Sequence, residues 1–153
     1  MEAGGMDVVA RFRAAVEAGD LSGFDGIFAP KIRLVSPVKF TPFEGRDAVL
    51  GLLGVLMRTF EDFRYVGSLA GEAQLGAEGP LVPSHILIFR AAVAGKQVHG
   101  IDLIQPGPSG LIEELTVMVR PLSAVTALGD AVLAGLVEDG LVPAGGPGGG
   151  GNG

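Results

Sequence analysis

The sequence predicts an α+β domain, and three features carry the prediction. Apolar residues recur at three- and four-residue spacing near the start of the chain, the second half reads as consecutive strands, and Pro121 opens a final apolar helix. In chain order, Val8, Val9, Phe12, Ala15 and Val16 define an amphipathic helix over Met6–Ala18 that Gly19 closes. Asp20 and Ser22 offer caps for a short second helix through Phe28, stopped by Pro30. Lys31–Ser36 alternates as a strand does, with Ile32 and Leu34 on one face. Pro37 and Pro42 frame a loop carrying Phe40 and Phe43, and Gly45 leads into a third helix, Arg46–Phe60.

Phe63–Ala70, Ser84–Ala94, Gln97–Gln105 and Leu111–Arg120 come next as strands. Gly95-Lys96 is the expected two-residue hairpin turn, and Gly107–Gly110 another turn. The last helix is Leu122–Val137, with Pro121 in its first turn, where proline is tolerated. One domain over residues 1–140 is expected, followed by a Gly-rich disordered tail over 141–153 (LVPAGGPGGGGNG), which cannot bury enough surface to offset its ordering entropy.

Composition narrows the function. The chain has 153 residues, 48% hydrophobic and 18% charged, enough for a sizeable core in one ordinary domain. The absence of Cys removes disulfides, thiol nucleophiles and Cys-ligated metal, and two His are too few for most all-protein transition-metal sites. No metal and no cofactor is expected. Eleven Lys and Arg against 17 Asp and Glu give a net charge of −6. With one Tyr, no Trp and no basic run in the sequence, neither nucleic acid nor an anionic membrane is an expected partner. A mean hydropathy of +0.46 is high. The longest apolar stretches, such as Ala48–Met57, nevertheless fall short of the roughly 20 residues of a membrane-spanning helix. The opening MEAGGMDVV lacks the basic and apolar regions of a secretion signal, so the expected location is the cytoplasm. The excess apolarity then belongs to an internal pocket or a subunit interface.

Strand parity sorts the residues of the predicted central hairpin. With Gly95-Lys96 as the turn, one face carries His85, Leu87, Phe89, Ala91, Val98, Gly100, Asp102 and Ile104. The other carries Ile86, Ile88, Arg90, Ala92, His99, Ile101 and Leu103. Both faces are largely apolar, so one is expected to cover the core and a pocket, and the other to pack on a second copy as a homodimer. Asp102 stands out as a carboxyl group in an apolar strand, where desolvation raises its pKa and suits it to acid chemistry. The plain alternative is a carboxylate paired with a buried Arg or hydrogen-bonded to a helix terminus. His85 shares the Asp102 face and is a candidate base, although this register separates the two by roughly 13 Å. Arg46, Arg58 and Arg64 read as solvated or capping charges. Adjacent Glu113 and Glu114 point to opposite faces and form no acid pair.

The helix-ending AGD at Ala18–Asp20, the strand Lys31–Ser36, the Phe-rich loop, the helix after Glu44–Arg46 and the segment GLIEELTVMVRPL at Gly110–Leu122 together resemble the nuclear transport factor 2-like (NTF2-like) superfamily. Within it they are most similar to small SnoaL-like proteins of bacteria. The resemblance covers roughly residues 6–137 and implies a conical half-barrel, a strongly curved antiparallel sheet wrapped around N-terminal helices. It also implies an apolar pocket and, in many members, a homodimer, here through the convex sheet face. Gly100–Asp102 (GID) is similar to the strand on which ketosteroid isomerase, a member of the superfamily, holds a neutral oxyanion-hole Asp. That enzyme's oxyanion Tyr falls on Phe12 and its general-base Asp on Ser36, neither of which can do the same work. The Asp, Asp and Arg of limonene epoxide hydrolase are matched only at Arg90.

The resulting expectation is a protein that binds a small, mostly apolar organic ligand in its cone. The lining is Phe12, Ser36, Phe40, Phe43, Phe60, Leu87, Phe89, Gly100, Leu115 and Val117, with Asp102 and His85 as catalytic candidates for cofactor-free isomerase or cyclase chemistry. The alternative is a non-catalytic binding or dimerisation module with a vestigial pocket.

Overall fold

The computed structural model describes residues 2–142. From residue 143 onward the expected Gly-rich tail lies outside the described residues. Helix α1 (Glu2–Ala18) ends at Gly19, whose φ of +65° is the left-handed conformation that closes helices. Asp20 does cap the next element, accepting a hydrogen bond from the Ser22 amide at 3.0 Å, but that element is a single 3₁₀ turn, Leu21–Phe24. The expected helix through Phe28 is replaced by strand β1 (Phe28–Val35), which contains Pro30. Pro30 is tolerated because the pairing of β1 slips between Phe28 and Arg33, and a bulge there spares a ladder hydrogen bond.

Strand β2 (Phe43–Glu44) and helix α2 (Arg46–Thr59) come next, so Phe43 belongs to a short strand rather than to the loop. Strands β3 (Glu61–Gln74), β4 (Leu81–Val93), β5 (Lys96–Pro106) and β6 (Ile112–Arg120) lead to helix α3 (Leu122–Glu138). They form one curved six-stranded sheet in the order β2-β1-β6-β5-β4-β3. The sheet is mixed, because β1 runs parallel to β6 while the other neighbours are antiparallel.

The β4–β5 turn differs from the expected one. Val93 pairs with Lys96, so the two turn residues are Ala94 and Gly95, with φ of +50° and +79°. Positive φ at both central positions is the turn whose twist matches a hairpin. The register therefore shifts by two residues: Phe89 faces Gly100 and Leu87 faces Asp102. A two-residue shift preserves parity, so the two face lists survive intact. On the inner face Leu87, Phe89, Ala91, Val98 and Ile104 are buried, joined by Leu34, Leu115 and Val117 from β1 and β6. They pack against Phe12 and Ala15 of α1, Val49, Leu52 and Val55 of α2, and Ala124 and Leu128 of α3. Each Val, Leu, Ile and Phe among them contributes about 1.5–3 kcal/mol on burial. The outer face is not buried in the single chain: Ile86, Ile88, Ile101 and Leu103 are half-buried, and Leu69 and Met118 are exposed.

The three arginines singled out in the sequence serve the scaffold. Arg46 donates to the Phe28 carbonyl at 2.9 Å, and Arg64 pairs with Asp62. Arg58, in the last turn of α2, donates to Asp139 at 2.7 Å and to the Gly135 carbonyl, tying α2 to the end of α3. Glu114 is buried and paired with Arg33 across β6 and β1, while half-buried Glu113 stands apart from it.

Candidate functional site

The helices do not fill the cone. A cavity of about 80 Å³ remains between α1, α2 and the inner sheet face. Its walls are mostly aromatic and aliphatic: Phe12 from α1, Leu56 and Met57 from α2, Phe60 beyond it, and Phe63 and Phe89 from β3 and β4. Phe63 stacks on Phe89 at 4.8 Å between centroids and meets Tyr65 edge-on at 5.1 Å. Offset-stacked and edge-to-face arrangements of this kind are the ones aromatic pairs prefer.

Asp102 and Tyr65 are the titratable residues that line this cavity. Asp102 is 7% exposed, and its Oδ2 accepts a 2.8 Å hydrogen bond from the Tyr65 hydroxyl. Burial pushes the Asp102 carboxyl up to about 7; the Tyr65 hydrogen bond works in the opposite direction by stabilising the charged form. Burial, and then the neighbouring Asp102 charge, push the Tyr65 phenol well above its ordinary value. Near neutrality the pair therefore holds its phenolic proton and shares a carboxyl group that is partly protonated. The neutral acid is a hydrogen-bond donor facing an apolar space. Arg13 of α1 lies 5.4 Å from the Tyr65 ring centroid and is itself held by Glu17 at 3.1 Å.

A groove of about 460 Å³ adjoins the cavity between α2, α3 and the loop after β1. The two spaces share Leu56 and Val117 as common walls. Ser36 lines the groove, not the cavity, and its Oγ accepts from the amides of Val38 and Lys39.

Of the residues expected to line a pocket, Phe12, Phe60, Phe89, Leu115, Val117 and Asp102 meet at the cavity, while Ser36 and Phe43 lie on the groove. Leu87 and Gly100 are buried beside them in the sheet without lining either space. Phe40 is 86% exposed and borders neither, a correction to its expected place at the mouth. His85 faces Ile104 and Ala70 and lies outside both linings. The shifted register brings it within two residue pairs of Asp102, roughly 7 Å along the strand rather than 13 Å. Tyr65 was missed in the sequence. Its one signal was being the single Tyr of the chain, two positions after Phe63 in an alternating strand. Among the described residues no group of three or more His, Asp or Glu stands close enough to hold a metal ion, and no helix is long and apolar enough to cross a membrane.

The comparisons agree with this fold. The SnoaL-like domain family matches residues 9–74. The crystal structure of a steroid delta-isomerase from Pseudomonas aeruginosa superposes with a TM-score of 0.80 at 31% identity, covering 93% of this chain and 98% of that one. A protein with a cystatin-like fold from Silicibacter pomeroyi gives 0.76 at 30% identity, over 88% of each chain. An NTF2-like protein of unknown function from Mesorhizobium loti shares the fold at 18% identity, with a TM-score of 0.62 over 77% of this chain and 92% of its own. No curated protein matches the sequence. From the family match and a relative aligned over nearly its whole length, the chain belongs to the SnoaL-like group of the NTF2-like superfamily.

Proposed function

We propose that the protein binds a small, mostly apolar organic molecule bearing a carbonyl or similar acceptor, and that Asp102, backed by Tyr65, donates a proton or hydrogen bond to that acceptor. The observation that carries this reading is the 2.8 Å Tyr65–Asp102 hydrogen bond at the wall of an apolar cavity. A neutral acid in a water-poor space stabilises negative charge developing on a carbonyl oxygen far better than water does. The 31% identity to a protein described as a steroid delta-isomerase supports cofactor-free isomerase or cyclase chemistry.

Size refines the ligand. Ligand pockets usually exceed ~300 Å³, so a cavity of about 80 Å³ takes one small end of a molecule and not a fused-ring skeleton. The groove of about 460 Å³, which shares Leu56 and Val117 with the cavity as walls, has the volume for the rest. The reaction the lining supports is electrophilic activation of a carbonyl. Proton abstraction from carbon lacks a protein base, because Ser36 faces the groove and His85 stands outside the cavity.

That missing base favours a second reading, a non-catalytic binding module. In either reading the apolar rows of the outer sheet face (Leu69, Ile86, Ile88, Leu103) fit a second copy of the chain, as a homodimer.

Carbon-13 NMR titration of the Asp102 carboxyl group, with Asp102→Asn as the assignment control, tests the site. The protein is titrated alone and with a panel of small ketones and their alcohols. An Asp102 pKa near 7 that moves with ketones is the expected result. A value in the ordinary carboxylate range, indifferent to every ketone, overturns both the acid and the ligand assignment.

A further inference from the structure

Helix α2 turns two neighbouring rows of side chains inward, and the rows meet different spaces. Leu53 and Met57, one helical turn apart, line the cavity that holds Asp102. Leu52 and Leu56 form the adjacent row: Leu52 lines the groove, and Leu56 lines both spaces. The inner face of β6 divides in the same way, with Leu115 on the cavity and Val117 on both. Leu52 and Leu53 are buried, whereas Leu56 between the two spaces is only half-buried. A side chain with open space on two sides forfeits the dispersion contacts that fix a packed rotamer. Such a side chain changes rotamer on the picosecond-to-nanosecond scale. The wall that the spaces share at Leu56 is therefore one that a ligand can part.

The two spaces suit different parts of one molecule. An apolar cavity of about 150 Å³ holds a benzene ring, so one of about 80 Å³ holds an acyl group of roughly three or four heavy atoms. The groove has a buried apolar floor of Leu34, Leu52 and Leu128, and its charged residues, Lys39 and Asp130, are both exposed. An uncharged hydrocarbon tail fits that floor without taking either charge out of water. Whatever joins the two parts must pass between a Leu and a Val side chain. An unbranched chain does so with little displacement, and a fused ring does not.

We infer that Leu56 and Val117 form a waist that selects a straight-chain carbonyl compound, its acyl end at Asp102 and its alkyl tail in the groove, and that Leu56 sets this preference. The inference rests on the reading of Asp102 as the group that meets the carbonyl, and it adds the shape of the ligand to that reading. Each methylene that enters the groove tightens binding by about fourfold. Shortening Leu56 widens the waist and admits rings; enlarging it shuts the tail out of the groove.

The test is NMR titration of the wild-type protein with butanone, with methyl heptyl ketone and with the fused bicyclic ketone decalone. Three sets of signals are followed: the Asp102 carboxyl carbon, the Leu53 and Met57 methyls of the cavity, and the Val132 and Leu133 methyls of the groove. Methyl heptyl ketone is expected to move all three with one dissociation constant, butanone the first two, and decalone the groove methyls at most. In Leu56→Ala the preference for methyl heptyl ketone over decalone at the cavity falls by at least about tenfold. In Leu56→Phe the gain in affinity with chain length is lost. Thermal unfolding shows which variants fold, and the wild-type titration decides the matter even if neither does. Methyl heptyl ketone that moves the cavity signals but not the groove methyls would send the tail out elsewhere, beside exposed Gly19 on the cavity wall, and overturn the waist. So would decalone reaching the wild-type cavity as readily as the straight chain, or a folded Leu56→Ala with its preference unchanged. An unmoved Asp102 carboxyl beside moving Leu53 and Met57 methyls would remove the acid and leave the waist standing. Silence of every cavity signal toward all three ketones would overturn both.

Discussion

Tyr65 and Asp102 are hydrogen-bonded across a strand that separates them: β4 lies between β3 and β5, and the phenol spans it to reach Oδ2 at 2.8 Å. The span is possible because Tyr65 pairs with Phe89 and Phe89 with Gly100, one alternate position before Asp102. With no side chain at Gly100, the Phe89 ring lies over β5 there, and the Tyr65 hydroxyl meets the next inward-facing residue.

The buried carboxyl makes stability depend on pH in a defined direction. Asp102 titrates at about 7 in the folded protein against 3.8 for an ordinary Asp, so between these values the native state holds a proton that the unfolded chain has released. Stability from this group is complete below pH 4 and is lost as pH rises through 7. The full loss is on the order of 4 kcal/mol at roughly 1.4 kcal/mol per pKa unit. Asp102→Asn keeps the shape and the acceptor for Tyr65 while removing the titration. The variant is expected to match wild type in urea midpoint at pH 4 and to exceed it at pH 8. Equal midpoints at both pH values would mean that the carboxyl is not held neutral.

Tyr65→Phe separates the hydrogen bond from the burial. The bond favours the charged form of Asp102, so its removal raises the Asp102 pKa further, above about 7. It also leaves a buried carboxyl group without its partner, at a cost of about 1–2 kcal/mol. Carbon-13 titration and urea unfolding of the same sample check both. An unmoved pKa would show that the bond does not form in solution.

Much of the site was legible because strand parity is a coarse and robust code. Asp102, Phe89 and Leu87 fall on one face even with the wrong turn, because a shift of two residues leaves that assignment standing. The same slip misplaces His85 relative to Asp102, since distance along a strand has no such protection. Tyr65 escaped because β3 carries irregularities on both sides of it, between Glu61 and Arg64 and between Tyr65 and Gly67, and alternation cannot be counted across bulges. Pro30 signalled a stop where the fold uses a bulge.

Gly100→Ala tests the close approach beneath the site. A Cβ there would collide with the Phe89 ring and stand 2.7 Å from the Met118 carbonyl oxygen, which the β5–β6 ladder holds in place. The ring must move toward the cavity, and overpacking of this kind costs about 1–3 kcal/mol. Urea unfolding measures the cost. Loss of ketone-induced shifts at Asp102 in the folded variant would report the cavity closing.

Ala94 is the residue the hairpin tolerates rather than prefers. Its φ of +50° is a left-handed conformation that its Cβ opposes, whereas Asn adopts it readily and Asn-Gly is the favoured pair for this turn. Ala94→Asn is therefore expected to stabilise the protein by about 1 kcal/mol. The substitution also discriminates between the two registers. With Gly95-Lys96 as the turn, position 94 would be the last strand residue, where Asn is disfavoured and the variant would lose stability. A raised urea midpoint with an unchanged slope supports the Ala94-Gly95 turn, and with it the pairing of Leu87 with Asp102; a lowered midpoint restores the longer separation of His85 from the carboxyl group.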